Sequence, residues 1–181
     1  YGGEDYDARI EPTDWKPVVI MEAPKGVLRP QIVYPVKIME RYPVKDIVRK
    51  DSVLVLDMGQ NLAGYPEITI EGKTGQQLKI TPGETLDKNG MVDQRQTGRP
   101  HYYTYILKGG QTEVWHPRFS YYSFRYLQIE GDIDVLKKVE SCFVYNSAER
   151  TGSFECSNPR INANHQLIDR AIRSNWQAVW T

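Results

Sequence analysis

From Val18 to about Tyr145, apolar residues come in short runs or strict alternation, separated by Gly, Pro, Asp and Asn. Such a pattern predicts a mainly β domain, because a strand covered on one face buries every second side chain. Ile68 and Ile70 alternate with Thr69 and Glu71, and Leu78 and Ile80 with Gln77, Lys79 and Thr81; Gly72 to Gly75 supply the turn between them. The unbroken Val53-Leu54-Val55-Leu56 reads as a strand covered on both faces. Tyr102–Leu107 and Glu113–Trp115 flank Gly109-Gly110. Two residues free to take positive φ there predict a tight hairpin. With Phe124–Ile129 and Ser141–Tyr145 the series reaches roughly ten short strands, which is enough for a two-sheet antiparallel β-sandwich.

After Thr151-Gly152 the period changes. Ser157 is placed to cap a helix, Pro159 falls in its first turn, and Ile161, Ile168, Ile172 and Val179 recur at helical spacing with His165 and Trp176 on the same stripe. One amphipathic helix is therefore expected at the C-terminal end. Its apolar stripe needs a cover, either the sandwich or further helices. No Gly, Asn or Pro stop follows the stripe, and Tyr1 to Tyr6 contain no initiator Met and no leader-like segment, so the chain reads as a piece of a longer one. The expected organisation is a tail and linker over residues 1–16, the sandwich over 17–150, and a junction with a first helix over 151–181.

Composition narrows the chemistry. Lys plus Arg number 23 and Asp plus Glu also number 23, so no net field gathers nucleic acid or an anionic membrane. No apolar run approaches the length of a membrane span. Cys142 and Cys156 are the only cysteines, without a metal-type spacing, and His101, His116 and His165 are scattered. This excludes a recognisable zinc motif or nucleophilic triad, and neither a metal nor a cofactor is expected. Twelve of the aromatic residues are tyrosines. Tyr103, Tyr121 and Tyr122 are candidates for stacking against a sugar, although strand tyrosines equally serve a core.

Among the carboxylates, Asp87, Asp132 and Asp134 sit in turn-like surroundings where they cap backbone N–H groups. Glu84, beside an apolar strand, stands apart. Arg118 and Arg125 lie in the aromatic run Pro117–Tyr126, where alternation puts Phe124 and Tyr126 on one face and Arg125 on the other. An arginine so near a core requires an anionic partner, so at least one of the two is expected to pair with Glu84 or Asp57 as a structural link.

Several stretches together resemble the bacterial α-L-rhamnosidases of glycoside hydrolase family 78. They are Gly3–Arg9 with Trp15; Asp57-Met58-Gly59-Gln60-Asn61-Leu62-Ala63-Gly64, similar to a D-x-G-Q-N-x-x-G signature; and Gly83-Glu84-Thr85-Leu86 with Asp87–Gly90. Tyr105–Gly110, Trp115–Phe119, Phe124–Tyr126 and Thr151–Pro159 follow in the same order. Ser120 and Ser123 depart from the Thr and Gly common in that family, and His101-Tyr102 from an acidic residue.

The resemblance implies a concanavalin-like or jelly-roll sandwich from an enzyme that removes terminal α-L-rhamnose by an inverting, two-carboxylate mechanism without a metal. It also implies that the catalytic carboxylates belong to a helical domain beginning beyond Thr181, so that this chain holds none and is inactive alone. The expected partners are a rhamnose-containing carbohydrate, reached through the parent enzyme, and that helical domain. Self-association through the uncovered helix stripe is a further expectation. A stand-alone carbohydrate-binding or structural module is the alternative, and the compartment stays open.

Overall fold

The computed structural model describes residues 2–97 and 100–178; Val179, Trp180 and Thr181, the last part of the predicted stripe and chain end, lie outside the described residues. Among the described residues eleven strands and one α-helix are formed. The strands are β1 (Gly3–Asp7), β2 (Val36–Pro43), β3 (Asp46–Lys50), β4 (Val53–Glu71), β5 (Gln77–Gly83), β6 (Thr85–Leu86), β7 (Val92–Asp93), β8 (Tyr102–Ile106), β9 (Thr112–Trp115), β10 (Tyr122–Gly131) and β11 (Leu136–Asn146). Helix α1 spans Pro159–Asn175.

Nine strands share one hydrogen-bonded sheet, and β6 pairs with β7 separately. The large sheet curls because β4 serves both of its halves. Val53–Asp57 lies between β3 and β10, whereas residues from Gly64 onward lie beside β11, with β9 on the other side from Ile68. Strands β10, β5, β8 and β1 extend the first half, and β11 with β2 extends the second. Gly64 sits at the crossing, opposite both Tyr122 and Phe143. A Cβ there would stand 1.9 Å from the carbonyl oxygen of Cys142, so only glycine permits the approach. The curl brings Trp115 of β9 within 5.2 Å of Tyr105 and 6.2 Å of Tyr103, both on β8.

The enclosed core contains Leu56, Met58, Leu62, Ile68, Ile70, Leu78, Ile80, Leu107, Phe124, Leu127 and Phe143. Each side chain of this size contributes about 1.5–3 kcal/mol on burial. The alternation expected at Ile68/Ile70 and Leu78/Ile80 is present, with all four residues at 0 % exposure.

Gly72–Gly75 supply the expected turn, and β10 lies between β4 and β5 in the sheet. Three local expectations are corrected. Gly109 and Gly110 do take positive φ (79° and 83°), yet β8 pairs with β5 and β1, and β9 with β4; the turn crosses between halves of the sheet. The Val18–Ile20 run is exposed and unpaired, and the strands resume only at Val36. Conversely, Gly3–Asp7, expected as the tail of another domain, pairs in parallel with β8 and forms an edge of this sheet.

The cap of α1 is Asn158 rather than Ser157: its side chain accepts from the Arg160 N–H at 3.0 Å, and Pro159 opens the helix. No residue of α1 is buried. Among its apolar side chains Ile161 is 48 %, Ile168 58 % and Ile172 38 % exposed, so the sandwich leaves the stripe open.

Candidate functional site

The Asp57–Gly64 signature is built around a bulge. Phe124 faces Leu62 and Tyr126 faces Asp57, so Arg125 alone stands opposite Met58–Asn61. Arg125 therefore projects from the break in alternation: Phe124 and Leu127 are both buried, and Tyr126 does not share Phe124's face as expected. Its guanidinium grips Asp57 with two parallel bonds, Nε to Oδ1 at 2.9 Å and Nη2 to Oδ2 at 2.8 Å. The Gly59 N–H adds a third donor at 2.7 Å. Chiefly through Arg125, and against the effect of burial, the Asp57 carboxyl is held below its ordinary range. Gly59 has φ 78°, and a Cβ there would come within 2.8 Å of the Lys45 side chain.

The bulge turns Gln60 and Asn61 outward. The Asn61 amide donates to Glu84 Oε1 at 2.9 Å, and Arg170 of α1 donates to Gln60 Oε1. Together with Ser123, Leu167 and Ser174 these groups line a groove of about 340 Å³ between sandwich and helix. Glu84 is thus part of the signature's surroundings, with an amide rather than an arginine as its partner. Arg118 lies elsewhere: its guanidinium stands 5.4 Å from the Tyr6 ring centre, and the Arg118 and Phe119 N–H groups donate to Glu4 Oε2 at 2.8 and 3.3 Å.

The three tyrosines expected as sugar platforms fall in different environments. Tyr103 is 1 % exposed, with burial pushing its hydroxyl upward and Trp115 edge-on to its ring, so it is a core residue without a free face. Tyr122 stacks on His101 at 3.8 Å. Tyr121 is 46 % exposed.

A larger groove, about 720 Å³, surrounds the β6–β7 hairpin and is lined by Asp87, Lys88, Asp93, Gln94, Arg95 and Pro100. Both of its carboxylates are engaged. Arg95 donates from Nη2 to Asp93 at 2.6 Å and brings that carboxyl down to about 2; the Met91 and Asn89 N–H groups cap Asp87 and lower it too. Asp132 accepts from the Gln77 N–H at 2.8 Å, whereas Asp134 pairs with Arg49 at 3.0 Å instead of capping.

Two polar anchors carry no pattern in the sequence. Glu113, 8 % exposed, accepts from the Tyr105 hydroxyl at 2.8 Å and from the Lys108 and Gly109 N–H groups at 3.1 and 2.9 Å. Gln94 donates to the carbonyls of Pro82 and His101 at 2.7 and 2.8 Å. Both reach across loops, so spacing gives no signal for either. Among the described residues no group of three His, Cys, Asp or Glu is placed to hold a metal ion, and no helix is long and apolar enough to cross a membrane.

A curled sheet whose signature faces a following helix makes this a mainly β, sandwich-like domain. Residues 47–145 match the family model for the bacterial alpha-L-rhamnosidase concanavalin-like domain, and the chain belongs to that family. An alpha-L-rhamnosidase of Formosa agariphila is 32% identical over 99% of this chain, which spans 21% of that protein. The structure of alpha-L-rhamnosidase from Dictyoglumus thermophilum superposes with TM-score 0.86 at 28% identity, over 98% of this chain and 22% of that one. That of the Streptomyces avermitilis enzyme complexed with L-rhamnose gives 0.74 at 28% identity, over 83% and 15%. The chain thus spans about a fifth of the length of the curated relatives it matches.

Proposed function

We propose that this chain is the non-catalytic β-sandwich segment of an α-L-rhamnosidase. The parent enzyme hydrolyses terminal α-L-rhamnose from glycans or glycosides with inversion, using two carboxylates outside residues 1–181. The observation that carries this reading is that residues 47–145 match a concanavalin-like domain while the chain spans about a fifth of its rhamnosidase relatives; the displaced carboxyls of the chain agree with it. Inverting hydrolysis needs one carboxyl kept protonated near neutrality by an apolar or anionic setting. Here the displaced carboxyls (Asp7, Glu11, Glu40, Asp57, Glu67, Asp87 and Asp93) all move downward, each held ionised by arginine, lysine, tyrosine or backbone donors. Such groups stabilise a fold and do not protonate a leaving group.

Incubation of the purified chain with p-nitrophenyl α-L-rhamnopyranoside tests the proposal. Release of nitrophenol no faster than in buffer is expected, and turnover at enzymatic rates would overturn it. The exposed ring of Tyr121 favours a second reading, sugar binding by the sandwich itself. Calorimetric titration with L-rhamnose and rhamnosyl oligosaccharides separates the two, and no saturable heat is expected on the first reading.

A further inference from the structure

Helix α1 rests on the sandwich without burying a single side chain. Apolar packing contributes little: Leu167 is 65 %, Ile168 58 % and Ile172 38 % exposed. The side-chain hydrogen bonds that join it to the strands are polar and fall at two places: Arg170 reaches Gln60 of β4, and Arg173 reaches a carboxylate of β2. Glu40, on β2, accepts from the Tyr145 hydroxyl of β11 at 2.8 Å and from Arg173 Nη1 of α1 at 3.1 Å through Oε1, and from the neighbouring Tyr42 hydroxyl through Oε2.

Arg173 is itself fixed from other directions. It pairs with Asp169 one turn earlier at 2.7 Å and lies 5.5 Å from the Tyr145 ring centre. Asp169 also faces Arg150, in the segment after β11, at 3.9 Å, and Arg170 reaches Gln60. Among the described residues, Glu40–Arg173 is the only ion pair between α1 and a strand. Beyond the helix the chain hooks onto β11: the Asn146 N–H donates to the Trp176 carbonyl at 2.9 Å, and Gln177 Nε2 to the Val144 carbonyl at 3.0 Å.

We propose that Glu40 and Arg173 form a lock that sets the seating of α1 on the sandwich, with Glu40 as its positioning residue. An exposed ion pair alone contributes little. This one differs in that three donors from β2, β11 and α1 meet at a single partly covered carboxylate, and such networks exceed the sum of their pairs. Because an ion pair contributes to the holding and no residue of α1 is buried, α1 is a separately releasable element whose docking responds to ionic strength.

Hydrogen exchange of the whole chain, followed by mass spectrometry, tests the lock. Glu40→Gln keeps the shape and one acceptor but removes the charge; Arg173→Gln removes the partner; Arg41→Gln, which breaks the Arg41–Glu67 pair, is the control. Amides of residues 160–177 are expected to exchange roughly tenfold faster or more in Glu40→Gln and Arg173→Gln. The double variant should add little, and the amides of 124–129 and all amides in Arg41→Gln should stay at wild-type rates. Unchanged exchange in α1 would overturn the lock. So would equal loosening of α1 and the 124–129 core, which would make Glu40 an ordinary stabiliser of β2.

Discussion

At the scale of single residues, the grip of Arg125 on Asp57 is the feature most open to titration. Asp57 is held below the ordinary 3.8, chiefly by Arg125 and then by the Gly59 N–H. A group depressed in the folded state contributes fully above its unfolded value, and that contribution is lost as pH falls through the folded one. Asp57→Asn should therefore cost about 1–2 kcal/mol at neutral pH, a figure reduced for the partial exposure of Arg125. The gap to the wild type should close as pH falls below about 3.8, as urea unfolding across a pH series would measure. This pairing was legible in the sequence because an arginine inside an aromatic strand demands an anion. The role of Glu113 was not legible, since its three donors come from a turn and from a tyrosine eight residues away. Tyr103 shows the opposite difficulty. In β8 the consecutive residues Tyr103, Thr104 and Tyr105 are all buried, so alternation carries no information about which ring is free.

Among elements, the turn that carries the chain from β8 to β9 separates two glycine requirements. Gly109 and Gly110 both have positive φ, but a Cβ on Gly109 would lie 2.2 Å from the Thr74 nitrogen, whereas one on Gly110 meets nothing within 4 Å. Gly110→Ala should cost about 1–2 kcal/mol for backbone conformation alone. Gly109→Ala should cost clearly more, because it also displaces the Gly72–Gly75 turn; paired thermal melts would show the ranking. The glycine pair announced a turn, and a turn is present. Its partners were hidden, because strand pairing across the curl depends on contacts far apart in sequence and no local spacing encodes them. The same cause concealed the continuity of β4, whose signature residues Gly59 to Gly64 look like a loop when read alone. The helix and its stripe as far as Ile172 were legible; its cap fell one residue later, at Asn158, and it ends at Asn175, with Trp176 as a non-helical C-cap.

Across the whole molecule, what stands out is how much apolar surface faces outward beside a well-filled core. Ile161, Leu167, Ile168 and Ile172 of α1, and Trp15, Val18, Val19, Ile20 and Leu28 of the segment before β2, are all exposed. Surface of this kind favours association. The isolated chain is expected to show a light-scattering mass that rises with concentration, and Ile168→Glu should lower that rise without changing the circular dichroism of the sheet. A constant monomer mass for the wild type would refute the expectation.

Strand β4 also has a bearing on how the molecule comes apart. A sandwich made of two independent leaves has a seam along which one leaf can slip free while the other survives. Here a single covalent rod runs through both, with neighbours on either side along much of its length. Neither leaf can therefore melt without stripping partners from the other, and the sheet should fail in one cooperative step with no half-open intermediate.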